Sequence, residues 1–297
     1  MKSKKKSSKF RLVDGFLLIM MIIPIAFGMT LHILFNPPSN GIEIAGPLVY
    51  FTIPMPIQPL PISESQVNSW LLLISVFFLC LYLTHGISAK RPTKRQHIVE
   101  WGIEQIDKLV SDNMGEFFKD FAPFVAAIMI LSAFSSLMTL VGLYPPTSDL
   151  NIVGGWALLV FILITYYKLK CGFVHYLKSF AEPVAFLTPL NVISEFATPV
   201  SMAFRHYGNI LSGSVISVLV AAALQGLSSM VLGKLPGFLG QFPLLQIGLP
   251  AVLSVYFDIF SGLLQAFIFA MLTMLYISSG FPEEDYRQKL KRKVTAN

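Results

Sequence analysis

Arg205 stands inside an otherwise apolar stretch, PVSMAFRHYGNILSGSV. A guanidinium keeps its proton at any working pH, because its pKa exceeds about 12, so this position holds a permanent positive charge. At mid-membrane depth an arginine costs roughly 2.5–3.5 kcal/mol on insertion scales. It therefore needs an anion or water beside it, or it must snorkel to an interface. The apolar flanks and the polar neighbours argue against snorkelling. At helical spacing Ser201, Arg205, Gly208, Asn209 and Ser212 share one face, with Ser214 off its centre. That face is small and polar, which lets another helix approach closely. Further on, Ser254, Asp258, Ser261, Gly262 and Gln265 form a second stripe, and Asp258 is the one charged side chain of its apolar run. A stripe of small residues alone indicates packing. One stripe with an arginine, matched by another with an aspartate and a glutamine, is better explained by a water-accessible ion route. Asp258 is one candidate counter-charge for Arg205; a carboxylate on another subunit is the other.

The elements that must hold these residues are membrane helices. Of 297 residues, 54% are hydrophobic and only 13% charged, with a mean hydropathy of +0.67. A soluble domain carries about 25% charged residues, so too few polar groups remain to cover a water-facing surface. Apolar runs extend over Phe16–Phe35, Val67–Thr84, Phe121–Leu143, Ile152–Tyr167, Phe196–Gly233 and Phe242–Gly280, several near the roughly 20 residues that cross a bilayer. The basic start before the first run resembles a signal peptide, but the run is long and no small-x-small site closes it. A retained anchor is expected.

The net charge of +6 does not point to nucleic acid, because the basic residues cluster between apolar runs. Lys2, Lys4, Lys5, Lys6, Lys9 and Arg11 precede the first run; Lys90, Arg91, Lys94 and Arg95 follow the second; Lys168, Lys170 and Lys178 follow the fourth; Arg287, Lys289, Lys291, Arg292 and Lys293 close the chain. Residues 36–69 and 144–151 contain no lysine or arginine, and residues 234–241 only Lys234. Basic loops stay cytoplasmic, so six spans with both termini in the cytoplasm satisfy every loop. Cys80 and Cys171, far apart in or beside apolar runs, read as small hydrophobes rather than a disulfide or metal set.

Four regions follow: a basic N-terminus and anchor helix (1–35), a proline-rich outer loop (36–68), a membrane domain (69–280) and a basic cytoplasmic tail (281–297). The prolines of the outer loop oppose helix. Residues 97–118, with Glu100, Glu104, Asp107 and Lys108, read as an amphipathic helix on the inner surface. Phe196–Gly233 as one helix would extend about 57 Å, against a hydrocarbon core of about 30 Å. Gly233, Pro236, Gly237 and Gly240 mark a turn after it. The expected fold is an all-α membrane protein of about six apolar helices, ending in a hairpin of two long, steeply tilted helices.

The segment from Asn191 to Val215 resembles subunit a of F-type ATP synthases. Asn191, Ile193, Pro199, Ser201, Arg205, Gly208, Asn209 and Gly213 stand at that family's motif positions. Leu263–Ser278, with Gln265-Ala266-Phe267, is similar to its C-terminal signature, and Asp149-Leu150-Asn151 after Pro145-Pro146-Thr147 resembles the opening of its next span. The likeness covers about residues 65–280. Met202, His206 and Tyr207 depart from the motif, Ser214 stands where some members carry glutamate, and Asp258 where those members carry histidine.

The resemblance implies a stator. A ring of c subunits, each with a membrane-embedded carboxylate, turns against the hairpin. Arg205 attracts the deprotonated carboxylate and bars protons from crossing directly. Two offset half-channels load and unload protons, with Asn209, Asp258, Gln265 and Ser214 lining the outer one and Glu195 near the inner mouth. The implied partners are the c ring, b-type peripheral stalk subunits and the remaining synthase, in the lipid bilayer of the cell membrane. No nucleotide motif of the form G-x-x-x-x-G-K-[ST] appears, so the ATP chemistry is expected on other subunits, with no cofactor or metal here. Two rivals are a self-contained secondary transporter or channel, and a scaffold in which an Arg205–Asp258 pair merely joins helices. His206 lies 100° round from Arg205 and reads as packing before relay; His32, His85 and His175 read as interface groups.

Overall fold

A computed structural model describes residues 2–35, 46–56, 58–88, 93–170, 172–181, 185–232, 248, 252–253 and 255–281. Its helices are α1 (Lys2–Phe35), α2 (Glu64–Thr84), α3 (Lys94–Met114), α4 (Ala122–Leu137), α5 (Leu150–Lys170), α6 (Phe173–Ala181), α7 (Thr188–Leu232) and α8 (Gly262–Ser279). Short 3-10 turns at Glu116–Phe121 and Met138–Val141 extend α4 at both ends. Among the described residues six helical stretches are long and apolar enough to cross a bilayer: Leu12–Phe35, Glu64–Thr84, Glu116–Val141, Leu150–Lys170, Thr188–Ser228 and Val255–Ser279. The expected class and span count hold.

Three details differ from the expectation. The proline-rich segment pairs with itself: β1 (Val49–Ile53) runs antiparallel to β2 (Leu60–Ser63), with Val49 opposite Ser63 and Ile53 opposite Leu60. Pro61 is tolerated because a two-stranded sheet consists only of edges. Second, α2 starts at Glu64, so this acid belongs to the helix and not to the loop. Ser63 caps it, its Oγ accepting the Gln66 N–H at 3.4 Å. Third, the last apolar run is not one α-helix. Val255–Ser261 is π-helical and only then passes into α8. By contrast α7 runs for 45 residues through Pro199, about 68 Å at 1.5 Å per residue. The expected turn at Gly233, Pro236, Gly237 and Gly240, the positions Pro243, Pro250 and Ser254, and the tail beyond Phe281 lie outside the described residues.

The chain divides into two compact units. The first comprises Met1–Val99, Leu131–Asp149 and Gly208–Gln265. In it α1 packs on α2 so closely that a Cβ on Gly28 would lie 3.0 Å from Leu71 Cδ1. Leu72, Met138 and Leu143 form a core, with Ile25, Val76 and Leu131 against it. Gly142 ends the turn after α4 at φ +78°, its N–H reaching the Met138 and Thr139 carbonyls, a left-handed cap that glycine adopts without a Cβ clash. Polar contacts hold α1 at both ends. Asp14 meets Arg95 at 3.3 Å and His85 at 3.0 Å, and His32 meets Glu64 at 2.8 Å.

The second unit comprises Glu100–Ile130, Leu150–Tyr207 and Ala266–Asn297. Val110, Met114, Phe118, Val125, Val160, Met202, Phe269, Met274 and Ile277 form its core. Phe118, Tyr167 and Phe281 meet edge to face, a geometry the ring quadrupoles favour.

Candidate functional site

Along α7 the backbone sorts its residues by face. Met202, Ala203 and His206 are buried, while Ser201, Phe204 and Arg205 are exposed. The buried face is anchored by shape: Ala203 clusters with Val153 and Ala157, and the His206 ring meets Trp156 at 6.3 Å and Phe269 at 5.5 Å between centroids. That packing fixes the rotation of the helix and turns Arg205 outward. Arg205 makes no ion pair or hydrogen bond among the described residues. Within an apolar 18-residue part of Thr188–Ser228 only 6% is buried by the described residues, and Arg205 itself is exposed.

Within the first unit, Asn209 and Ser261 bond twice. Asn209 Nδ2 donates to Ser261 Oγ at 2.7 Å, and Ser261 Oγ–H points to Asn209 Oδ1 at 3.1 Å. This locks α7 to the π-helical turn. One step along, a cavity of about 310 Å³ is lined by Ser214 and Ile210 from α7, Asp258 from the π-helix, Tyr144, Pro145 and Ser148 from the connection after α4, and His32 from α1. Ser214 Oγ donates to the Leu211 carbonyl at 2.9 Å. Gln265 is buried in α8, 5% exposed, beyond the residues that line this cavity. Gly213 admits the approach: a Cβ there would lie 3.1 Å from the Phe257 ring.

Behind His32 lies Glu64, 1% exposed. His32 Nδ1 is 2.8 Å from Glu64 Oε1, and the Tyr144 N–H donates to the same oxygen at 3.4 Å. Asn68 Nδ2 holds the Tyr144 carbonyl at 2.9 Å, and the Ser65 hydroxyl donates to Asp149 Oδ2. Near this carboxylate Tyr50 is pushed up to about 12, first by desolvation and then by the charge of Glu64, so its phenol stays neutral.

Glu195 lies in the second unit. Lys168 Nζ donates to both its oxygens, at 2.8 and 2.6 Å, beside a small cavity of about 60 Å³ that Thr198, Tyr276 and Ser279 also line. The Tyr176 phenol is raised above its usual value by desolvation and then by the negative charge of Glu195.

The structure thus brings Ser214 and Asp258 to one cavity, ties Asn209 beside it, buries Gln265 near it in sequence, sets Glu195 at another cavity and leaves Arg205 exposed. Sequence reasoning missed Glu64, Asn68 and Lys168 and placed His32 at an interface. The available signal for Glu64 was its position directly after Ser63, a capping residue, at the start of an apolar run. For Lys168 it was the apolar helix around it; counting it as loop charge hid its partner.

Six helical stretches long and apolar enough to cross a bilayer, with ionisable side chains set among them, define a multi-pass membrane protein. The family described as ATP synthase A chain matches residues 66–278, and the chain belongs to that family. It is similar to ATP synthase subunit a of Priestia megaterium, 32% identical over 237 residues, covering 75% of this chain and 94% of the relative. It is also similar to those of Legionella pneumophila (strain Philadelphia 1), 28% identical over 77% of this chain and 91% of the relative, and Geobacter sulfurreducens, 28% identical over 76% and 93%.

Proposed function

We propose that this chain is the ion-translocating stator subunit of an F-type ATP synthase, forming two half-channels that load and unload protons on a rotating c ring. The observation that carries the reading is Arg205: a charge that cannot be discharged, turned outward from an apolar helix, with no ion pair among the described residues. Such a charge is stable in a membrane only if an anion or water comes to it. A membrane-embedded carboxylate on each c subunit supplies that anion as the ring passes. The length of α7 supports this, since about 68 Å of helix fits a core of about 30 Å only when strongly inclined, which spreads its flank along a cylinder.

In this reading the cavity of Ser214 and Asp258, with Asn209 and Gln265 near it, belongs to the outer half-channel. The Lys168–Glu195 site lies toward the inner mouth. Arg205 attracts the deprotonated ring carboxylate and so bars protons from leaking straight across. Each charge that crosses 100 mV carries about 2.3 kcal/mol, so several must pass for each ATP made. Nucleotide chemistry is on other subunits, and b-type stalk subunits hold this one still. The protein is multi-pass in the cell membrane with both termini in the cytoplasm.

The test is Arg205→Ala in the complete synthase reconstituted into liposomes. ATP-driven proton pumping is expected to disappear while the complex still assembles. Pumping at the wild-type rate would overturn the assignment.

A further inference from the structure

We propose that His32, on the helix before the family-matched region, carries protons in the outer cavity and is positioned there by Glu64. The proposal rests on the stator reading above. The family match begins at residue 66, so α1 lies outside it. Yet α1 is built into the first unit, held by Asp14 at one end and His32 at the other. At the second end it puts a titratable ring into the wall of the same cavity that Ser214 and Asp258 line.

The geometry behind the ring is that of a device that orients an imidazole. Glu64 is 1% exposed, and a buried carboxylate is costly unless it is paired and hydrogen-bonded. It sits in the first turn of α2, where the helix N-terminus favours negative charge, and its Oε1 accepts the Tyr144 N–H at 3.4 Å. An ionised carboxylate only accepts, so Nδ1, 2.8 Å away, carries a proton directed at it. The exchanging proton then belongs to Nε2, the tautomer logic of a carboxylate-oriented histidine. Tyr50 beside Glu64 does not compete, since it is pushed up to about 12. Asp149 is engaged by the Ser65 hydroxyl.

The step balances without a co-reactant. A hydronium from the outer water gives its proton to His32 Nε2, leaving water and an imidazolium whose Nδ1–H stays on Glu64. The Nε2–H bond then breaks, the proton passes through the cavity to the Asp258 carboxylate, and His32 is neutral again. A purely structural role requires only a hydrogen-bond donor to Glu64, which glutamine supplies equally. The acid–base chemistry of an imidazole is needed only if protons pass through it.

The experiment uses the complete synthase in liposomes, with passive proton conduction through the membrane sector and ATP-driven pumping as readouts. His32→Gln keeps a donor for Glu64 and is expected to lower conduction about tenfold or more, the scale of a lost acid–base group. His32→Ala is expected to be similarly slow and to recover when imidazole is added to the outer buffer. Wild-type conduction in His32→Gln, or a defect in His32→Ala that imidazole leaves unrelieved, overturns the proposal. Arg205→Ala in the same preparation separates the two claims. If it pumps normally, the stator reading falls; if it is dead beside a normal His32→Gln, only the role of His32 falls.

Discussion

Asn209 and Ser261 satisfy one another: the amide nitrogen donates to the hydroxyl at 2.7 Å and the hydroxyl faces the amide oxygen at 3.1 Å. The pair joins a long α-helix to a π-helical turn. Interhelical hydrogen bonds in membranes average about 0.6 kcal/mol and reach about 1.7. A double-mutant cycle with Asn209→Ala and Ser261→Ala is expected to give a coupling energy of about 1 kcal/mol, read from the thermal stability of the assembled complex. Strictly additive losses would show that the contact does not hold the two elements together.

Gly262 opens α8 directly beneath Ser136 of α4. A Cβ at this position would fall 2.5 Å from the Ser136 Cβ. The obstructing atom is fixed to the backbone, so no rotamer change relieves the clash, and Ser136 is buried at 3% exposure. Gly262→Ala is expected to destabilise the subunit by about 1–3 kcal/mol, the usual cost of overpacking. Ser136→Gly in the same chain should return most of it. Thermal inactivation of the purified complex measures both, and an undiminished midpoint for Gly262→Ala alone would refute the close approach.

What was legible in the sequence followed from composition. Apolar runs separated by basic clusters give six spans, because a bilayer imposes a length and a charge rule that no soluble fold imposes. Arg205 stood out because a permanent charge in such a run is rare. The buried face of His206, against Trp156 and Phe269, agrees with the packing reading of that residue. The π-turn at Val255–Ser261 was not legible, since a backbone insertion of this kind leaves no mark in residue type. It shifts which side chains share a face, so a stripe drawn at 3.6-residue spacing did not reveal that Ser261 meets Asn209 while Asp258 lines a cavity with Ser214. Glu64 and Lys168 were hidden for another reason. Each lies at the edge of an apolar run, where sequence alone assigns a charge to water, and its partner arrives from a distant segment.

Lys168 and Glu195 are such a pair, 22% and 14% exposed at the side chain. Glu195→Gln removes the charge that Lys168 faces and leaves its ammonium partly desolvated. A loss of about 1–3 kcal/mol is expected, the cost of an orphaned buried polar group. Adding Lys168→Met should recover much of the stability, because removing both members of a buried pair is far cheaper than removing one. Proton pumping separates structure from transport. If Glu195 serves the inner mouth, the double variant regains its thermal midpoint but not its pumping rate. Recovery of both together makes the pair structural only.

Arg205→Lys keeps a positive charge in place and changes its character. Lysine is a point charge on a flexible stem, and desolvation lowers its pKa, whereas the guanidinium is planar, delocalised and always charged. Because Arg205 has no ion pair among the described residues, none of them fixes an ammonium in the same spot or holds its proton there. The variant is expected to assemble normally, since both residues cost roughly 2.5–3.5 kcal/mol at mid-membrane depth on insertion scales. It is also expected to lose most ATP-driven pumping and to leak protons increasingly as the pH of the outer buffer rises, because deprotonation of the lysine removes the barrier between the two half-channels. The measurement is vesicle acidification together with passive conduction over a range of outer pH. A variant that pumps at the wild-type rate, with a leak independent of pH, would show that any cation suffices at this position, and the argument from permanence of charge would have to be abandoned.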